Sequence, residues 1–115
     1  MAKSLFSDSA MYIGRKSKRA MGTVIGVSSK WPDKIVLTHL SSGIVRAATI
    51  DHDEVSEIFF SDIACISISD DPEYNDGKHM QIAMKNGENH IFLFKKEAKA
   101  QAAVQALSEI LVAAK

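Results

Sequence analysis

Residues 79–114, HMQIAMKNGENHIFLFKKEAKAQAAVQALSEILVAA, contain the change of pattern that decides the fold. Up to Phe94, apolar and polar residues alternate with the two-residue period of a half-buried strand. Beyond Phe94 the period lengthens to about 3.6 residues, so one apolar stripe runs along a helix. The stripe consists of Ala100, Ala103, Val104, Leu107, Ile110, Leu111 and Ala114. The sequence therefore predicts a β-hairpin followed by an amphipathic C-terminal helix that packs on a sheet.

The dipeptide Asn86-Gly87 predicts the turn of this hairpin. Both residue types tolerate positive φ, as the two-residue type I′ turn requires. Such a turn pairs Ile82 with Ile91. The core face of the hairpin would then carry Met80, Ile82, Ile91 and Leu93, and the opposite face Gln81, Ala83, His90 and Phe92.

The chain before the hairpin has the same β character. Short segments rich in Val, Ile, Thr and Phe alternate with turn clusters roughly every ten residues, a pattern typical of a β-meander, sandwich or barrel. We predict strands at 21–28, 34–40, 43–50, 56–60, 62–69, 79–85 and 88–94. The predicted fold class is mainly β (α+β), with seven antiparallel strands capped by one C-terminal helix. Residues 1–20 are predicted to be an N-terminal basic arm and residues 21–115 a single domain.

Two segments resemble a known family. The segment 35–46, IVLTHLSSGIVR, is similar to a hairpin of the bacterial pleckstrin-homology-like (PH-like) domains, and the segment 57–68, EIFFSDIACISI, is similar to their aromatic strand, polar corner and Ile-rich strand. The resemblance covers residues 20–114. It implies a seven-stranded PH-like barrel or sandwich with a helical cap. It also implies a binding or assembly role, because this superfold hosts lipid, peptide, protein and scaffolding functions.

The composition is that of an ordinary globular domain, with 115 residues, 46% hydrophobic and 24% charged. No apolar run approaches the roughly 20 residues of a membrane-spanning helix, and the first fifteen residues lack the apolar centre of a signal peptide. We therefore expect a soluble, cytoplasmic protein. Cys65 has no second cysteine to pair with, and its apolar surroundings predict a buried, inert thiol.

The motifs of enzymes and metalloproteins are missing from the sequence. The four histidines, at positions 39, 52, 79 and 90, lack the spacing of zinc ligands. The loop 71–77 resembles a calcium loop, but its glycine falls one position late. No serine lies in a nucleophile elbow. We expect no enzymatic activity, no metal and no cofactor.

Charge is unevenly distributed along the chain. Residues 1–46 carry eight Lys or Arg against two Asp, residues 47–77 carry nine Asp or Glu and no Lys or Arg, and residues 78–115 carry six Lys against three Glu. A basic cluster, RKSKR, precedes the first predicted strand, and Trp31 lies in a loop between two lysines. The candidate residues for binding a partner or a lipid are Arg15, Lys16, Lys18, Arg19, Lys30, Trp31 and Lys34. The candidate acidic interaction surface consists of Asp51, Asp53, Glu54, Asp70, Asp71, Glu73 and Asp76.

Three functions remain open. The first is a PH-like module that binds a protein partner, and the alternative is a peripheral module that binds an anionic membrane surface through the basic cluster and Trp31. Nucleic acid ranks third, because the net charge is zero and no aromatic residues are interspersed with the basic ones. Open sheet edges and complementary charge blocks also favour a homo-oligomer.

Overall fold

The computed structural model describes residues 4–14, 21–40 and 57–113, and these form seven strands and one long helix. The elements are β1 (Ser4–Gly14), β2 (Met21–Ser28), β3 (Trp31–Leu40), β4 (Glu57–Phe59), a 3₁₀ turn (Phe60–Asp62), β5 (Ile63–Ile68), β6 (His79–Met84), β7 (Asn89–Leu93) and α1 (Glu97–Ala113). The strands lie in one antiparallel sheet in the order β4-β3-β2-β1-β7-β6-β5. The predicted fold class is confirmed.

The sheet curls into a barrel. β4 and β5 lie at its two opposite edges, yet only the 3₁₀ turn Phe60–Asp62 separates them in the chain. So short a connection forces the two edges to come close together. The Lys85 N–H donates to the carbonyl oxygen of Asp62 at 2.8 Å, which attaches this corner to the loop between β6 and β7. The Phe60 side chain fills the corner from inside and is buried.

The core lies between the inner face of the sheet and α1. Large buried side chains come from every strand and from the 3₁₀ turn, among them Tyr12, Ile25, Ile35, Ile58, Phe60, Ile63, Ile82 and Phe92. The helix contributes the predicted stripe: Ala100, Ala103, Leu107 and Leu111 are buried, and Val104 and Ile110 pack against them. The prediction of a packing helix is therefore confirmed for the described residues, which end before Ala114.

The N-terminal boundary of the domain was predicted too far along the chain. Residues 4–14, expected to belong to an arm, form β1, which pairs with β2 on one side and with β7 on the other. Alternate β1 residues such as Ala10 and Tyr12 face the core, and this burial stabilises the strand. The predicted strand 43–50 lies outside the described residues.

The hairpin register was predicted wrongly by one residue. Ile82 pairs with His90, and the Met84 N–H donates to the Glu88 carbonyl at 2.8 Å, so the loop contains three residues. Gly87 takes the left-handed position at its end with φ 92°, as in a type I turn with a G1 bulge. A one-residue shift turns every β7 side chain to the other face. His90 and Phe92 therefore face the core.

Cys65 is exposed, contrary to the prediction of a buried thiol. The cause is a register shift between Ile63 and Cys65, where β5 carries an extra residue relative to β6. Such a bulge leaves two successive residues on the outside. Ala64 and Cys65 are both exposed, while Ile63 and Ile66 on either side are buried.

Replacing Leu107 with alanine is expected to lower the free energy of unfolding by about 2–5 kcal/mol, because it leaves a cavity where the helix meets the sheet. The matched control is Val112→Ala on the same helix. Val112 is 70% exposed, so its change should stay within about 0.5 kcal/mol. Urea unfolding followed by circular dichroism measures both. Equal values for the two variants would contradict the packing of α1.

Gly87→Ala is expected to cost about 1–2 kcal/mol through backbone strain alone. A Cβ at Gly87 would meet no atom within 4 Å, so no clash contributes. Gly26→Ala is the control, because its Cβ would make only an ordinary 3.9 Å contact with the Phe6 carbonyl and its φ is not positive. That variant should be neutral or stabilised by up to about 1 kcal/mol. Thermal unfolding of the pair tests the assigned turn.

Candidate functional site

The outer face of β3 and β4 carries a cluster of aromatic and charged side chains. It consists of Lys30, Trp31, Lys34, Glu57 and Phe59, and we call it the Trp31 patch. Trp31 is 50% exposed and Phe59 is 38% exposed. Large apolar side chains exposed side by side are typical of surfaces that bind a partner.

The pairing of β3 with β4 brings these residues together. Ile35 pairs with Ile58, and both side chains point into the core. Because side chains alternate along a strand, the neighbouring pair, Lys34 and Phe59, points outward. The core residues thus fix the positions of the surface residues next to them.

Lys34 holds the patch in one arrangement. Its Nζ lies 5.1 Å from the centre of the Trp31 ring and 5.6 Å from that of Phe59, within the range of cation–π attraction. The same Nζ donates to Glu57 Oε1 at 2.8 Å. The Lys34 side chain is only 16% exposed. Lys30 Nζ lies 5.6 Å from the Trp31 ring. The two exposed rings are therefore ordered before any partner arrives.

A cleft of about 320 Å³ continues the patch across the corner of the barrel. Phe59 belongs to both the patch and the cleft. The other apolar lining residues are Phe60, Ile63 and Leu111, while Asp33 and Lys85 add charged groups. The arrangement offers a flat aromatic surface beside a small apolar recess.

Lys30, Trp31 and Lys34, which were predicted from the sequence, do lie together in this patch. Phe59 and Glu57 were not predicted to belong to it. The predicted Arg15, Lys16, Lys18 and Arg19 lie outside the described residues. The chain leaves β1 at Gly14 and enters β2 at Met21, whereas the Trp31 patch adjoins Ser28 at the other end of β2. The eight residues of β2 span about 23 Å, so Met21 and Ser28 lie at opposite ends of this strand.

The described part of the predicted acidic surface lies in the loop between β5 and β6. Asp70, Asp71, Glu73 and Asp76 are all exposed there, and Asp51, Asp53 and Glu54 lie outside the described residues. Asp71 Oδ1 accepts the N–H of Glu73 at 2.9 Å.

Asp76 helps to order the same loop. Its Oδ1 accepts the N–H of Lys78 at 2.9 Å and hydrogen-bonds His79 Nδ1 at 2.8 Å. The hydrogen bond from the Lys78 N–H, and then that with His79, hold the pKa of Asp76 below its ordinary value. Two carboxylates of the predicted acidic surface, those of Asp71 and Asp76, therefore stabilise the loop itself.

The buried polar groups have structural roles. The Tyr12 hydroxyl hydrogen-bonds His90 Nδ1 at 2.9 Å and joins β1 to β7 inside the barrel. No buried side-chain nitrogen or oxygen in the described ranges lacks a partner. Residues 4–14, 21–40 and 57–113 contain no cluster of three His, Cys, Asp or Glu side chains that could hold a metal. In the same ranges, no helix is both long and apolar enough to cross a membrane.

No family model and no curated protein matches the chain. Among solved structures, it is similar to the solution structure of the N-terminal PH domain of ARAP2 protein from human. The TM-score is 0.62 at 10% sequence identity, and the match covers 94% of this chain and 79% of that chain. At this identity the likeness concerns the fold, which is PH-like.

Trp31 is the single tryptophan of the chain, so its fluorescence reports on the patch. We expect iodide to quench it more strongly than caesium, because Lys30 and Lys34 attract anions to the ring. Lys34→Met should reduce iodide quenching about twofold at low salt, since it removes a cation and leaves Glu57 unpaired. Lys99→Met, on α1, should leave quenching unchanged. Stronger quenching by caesium in the wild type would contradict the geometry of the patch.

Proposed function

We propose that this PH-like chain is a non-catalytic binding module of the cytoplasm that recruits a protein partner through the Trp31 patch. The observation that carries the proposal is a half-exposed tryptophan held beside an exposed phenylalanine by a lysine that is itself largely buried. Tryptophan is among the residues that most often dominate the energetics of protein interfaces.

Burying the Trp31 patch against a partner contributes enough free energy for recognition. Burying the exposed half of Trp31 removes on the order of 100 Å² of surface, which is worth about 2–3 kcal/mol. Because the contacts of Lys34 already order Trp31 and Phe59, little side-chain entropy is lost on binding. The binding energy is therefore concentrated in a few residues.

The neighbouring cleft indicates the chemistry of the partner. Its apolar lining fits an aliphatic or aromatic side chain, and Phe59 connects that recess with the Trp31 ring. Lys30 is exposed, lies 5.6 Å from the centre of the Trp31 ring, and suits an acidic residue of the partner. We infer a partner surface with one projecting apolar side chain next to a carboxylate.

A second candidate function is binding to an anionic membrane surface through Arg15, Lys16, Lys18 and Arg19. Four cations in five residues favour it, because each contributes about 1 kcal/mol near such a surface. Because it depends on these four cations, this function requires no contribution from Trp31. Homo-oligomer formation through the unequal charge blocks stays a prediction.

Affinity capture from native cell extract, quantified by mass spectrometry, tests the protein-binding function. Trp31→Ala is expected to weaken binding of the specific partner about 30-fold, the equivalent of roughly 2 kcal/mol. Phe59→Ser should weaken binding of the same partner. Val112→Ser is the matched control, because Val112 is also an exposed apolar residue but lies on α1. Partners that bind Trp31→Ala and the wild type equally would refute the role of the patch.

The same variants on vesicles separate the two functions. A membrane module should float with phosphatidylserine vesicles at low salt and be released as salt screens its charges. Replacing the four basic residues with alanine should then abolish flotation, while Trp31→Ala should not affect it. Flotation that depends on Trp31 instead would assign the patch to the membrane.

A further inference from the structure

Within the described residues, β1 has an unpaired edge over most of its length. The strand contains eleven residues and β7 only five, and the two pair at Met11, Tyr12 and Gly14. β7 ends at Leu93 and α1 begins at Glu97, so β7 does not extend along the first part of β1. Among the described strands, none pairs with residues 4–10 of β1 on the side away from β2.

A groove of about 520 Å³ lies along this edge. Its volume is in the range of ligand-binding pockets. Ala10, Met11 and Leu93 are among its apolar lining residues, and Lys95 and Lys99 line it at the start of α1. Both lysines are exposed, and neither forms an ion pair with another residue in the described ranges.

A backbone donor in the groove is covered by a side chain and not by a strand. The Ser9 N–H donates to Asp8 Oδ1 at 2.8 Å. Charged side chains at strand edges commonly block unwanted pairing. A carbonyl oxygen of an added strand could take the place of the Asp8 carboxylate. The Ser9 N–H is therefore a donor that an added strand can use.

We propose that the free edge of β1 accepts an extended segment of another protein by strand addition, and that this segment carries an acidic side chain that contacts Lys95 and Lys99. Main-chain hydrogen bonds to β1 supply affinity, and the two lysines select the charge. A second copy of this chain fits less well, because pairing two β1 edges would place both Asp8 carboxylates in one short ladder, where like charges repel. The groove is separate from the Trp31 patch, so this site does not depend on the proposed function.

Three synthetic peptides test the site by nuclear magnetic resonance on the ¹⁵N-labelled chain. Each alternates Thr and Val and carries Glu, Gln or Lys at one central position. The Glu peptide should bind most tightly and shift the amide signals of Ser7, Ser9, Lys95 and Lys99, and the Lys peptide should bind least. The Glu peptide N-methylated at alternate residues should fail to bind, because it cannot complete the ladder.

Variants of the chain separate charge from backbone pairing. The double variant Lys95→Glu with Lys99→Glu should weaken binding of the Glu peptide about tenfold at low salt and strengthen binding of the Lys peptide. Lys85→Glu, at the loop between β6 and β7, is the control and should bind like the wild type. Ser9→Pro removes the donor without changing charge and should abolish binding of all three peptides.

Three results of the peptide experiments would overturn the proposal. They are no shift along β1 with any peptide, equal binding of the N-methylated peptide, and shifts confined to the residues around Trp31. Shifts of the same β1 amides on raising protein concentration alone would assign the edge to a second copy and also overturn it. Trp31→Ala should bind the Glu peptide normally, so failure of the Trp31 patch and failure of this site are distinguishable.

Discussion

The three-residue corner Phe60–Asp62 is the constraint on which the rest of the structure depends. It joins strands at the two opposite edges of a seven-stranded sheet, and the chain from Phe59 to Ile63 reaches at most about 14 Å. The edges must therefore approach, and the sheet must close around an interior. Phe60, buried in the corner, fills part of that interior. The helix then covers the remaining open side with small residues such as Ala100 and Ala103, which allow its backbone to lie close to the strands.

For an element with one apolar face, the sequence predicts which face is buried. For an element that is apolar on both faces, the sequence does not show which face points into the core. The helix has one stripe, so its buried face was identified correctly. In β7, residues 90–92 are all buried, and the pattern did not distinguish the two possible registers. The dipeptide Asn86-Gly87 is compatible with both a two-residue and a three-residue loop. The bulge that exposes Cys65 arises from pairing with β6 and has no local signal in β5.

The candidate site shows the same limit. Lys30, Trp31 and Lys34 are neighbours in the chain, and the exposed aromatic residue between two cations could be recognised there. Phe59 reaches them only through the register of β4 on β3, across a sequence separation of 25 residues from Lys34. Charge composition alone grouped the basic cluster with Trp31, because composition contains no distances. The four cations of that cluster lie outside the described residues.

The position of β1 beside β7 governs the order in which the barrel can assemble. During synthesis β1 can form a hairpin with β2 as soon as both have emerged, but its second neighbour is made some 75 residues later. Until then the Tyr12 hydroxyl lacks its hydrogen-bond partner, His90. The incomplete sheet also exposes its apolar edges to solvent. Pairing so distant in sequence requires closing a long loop, which slows folding. The incomplete domain is therefore most vulnerable to aggregation and proteolysis until β7 and α1 have formed, and these two elements complete the barrel.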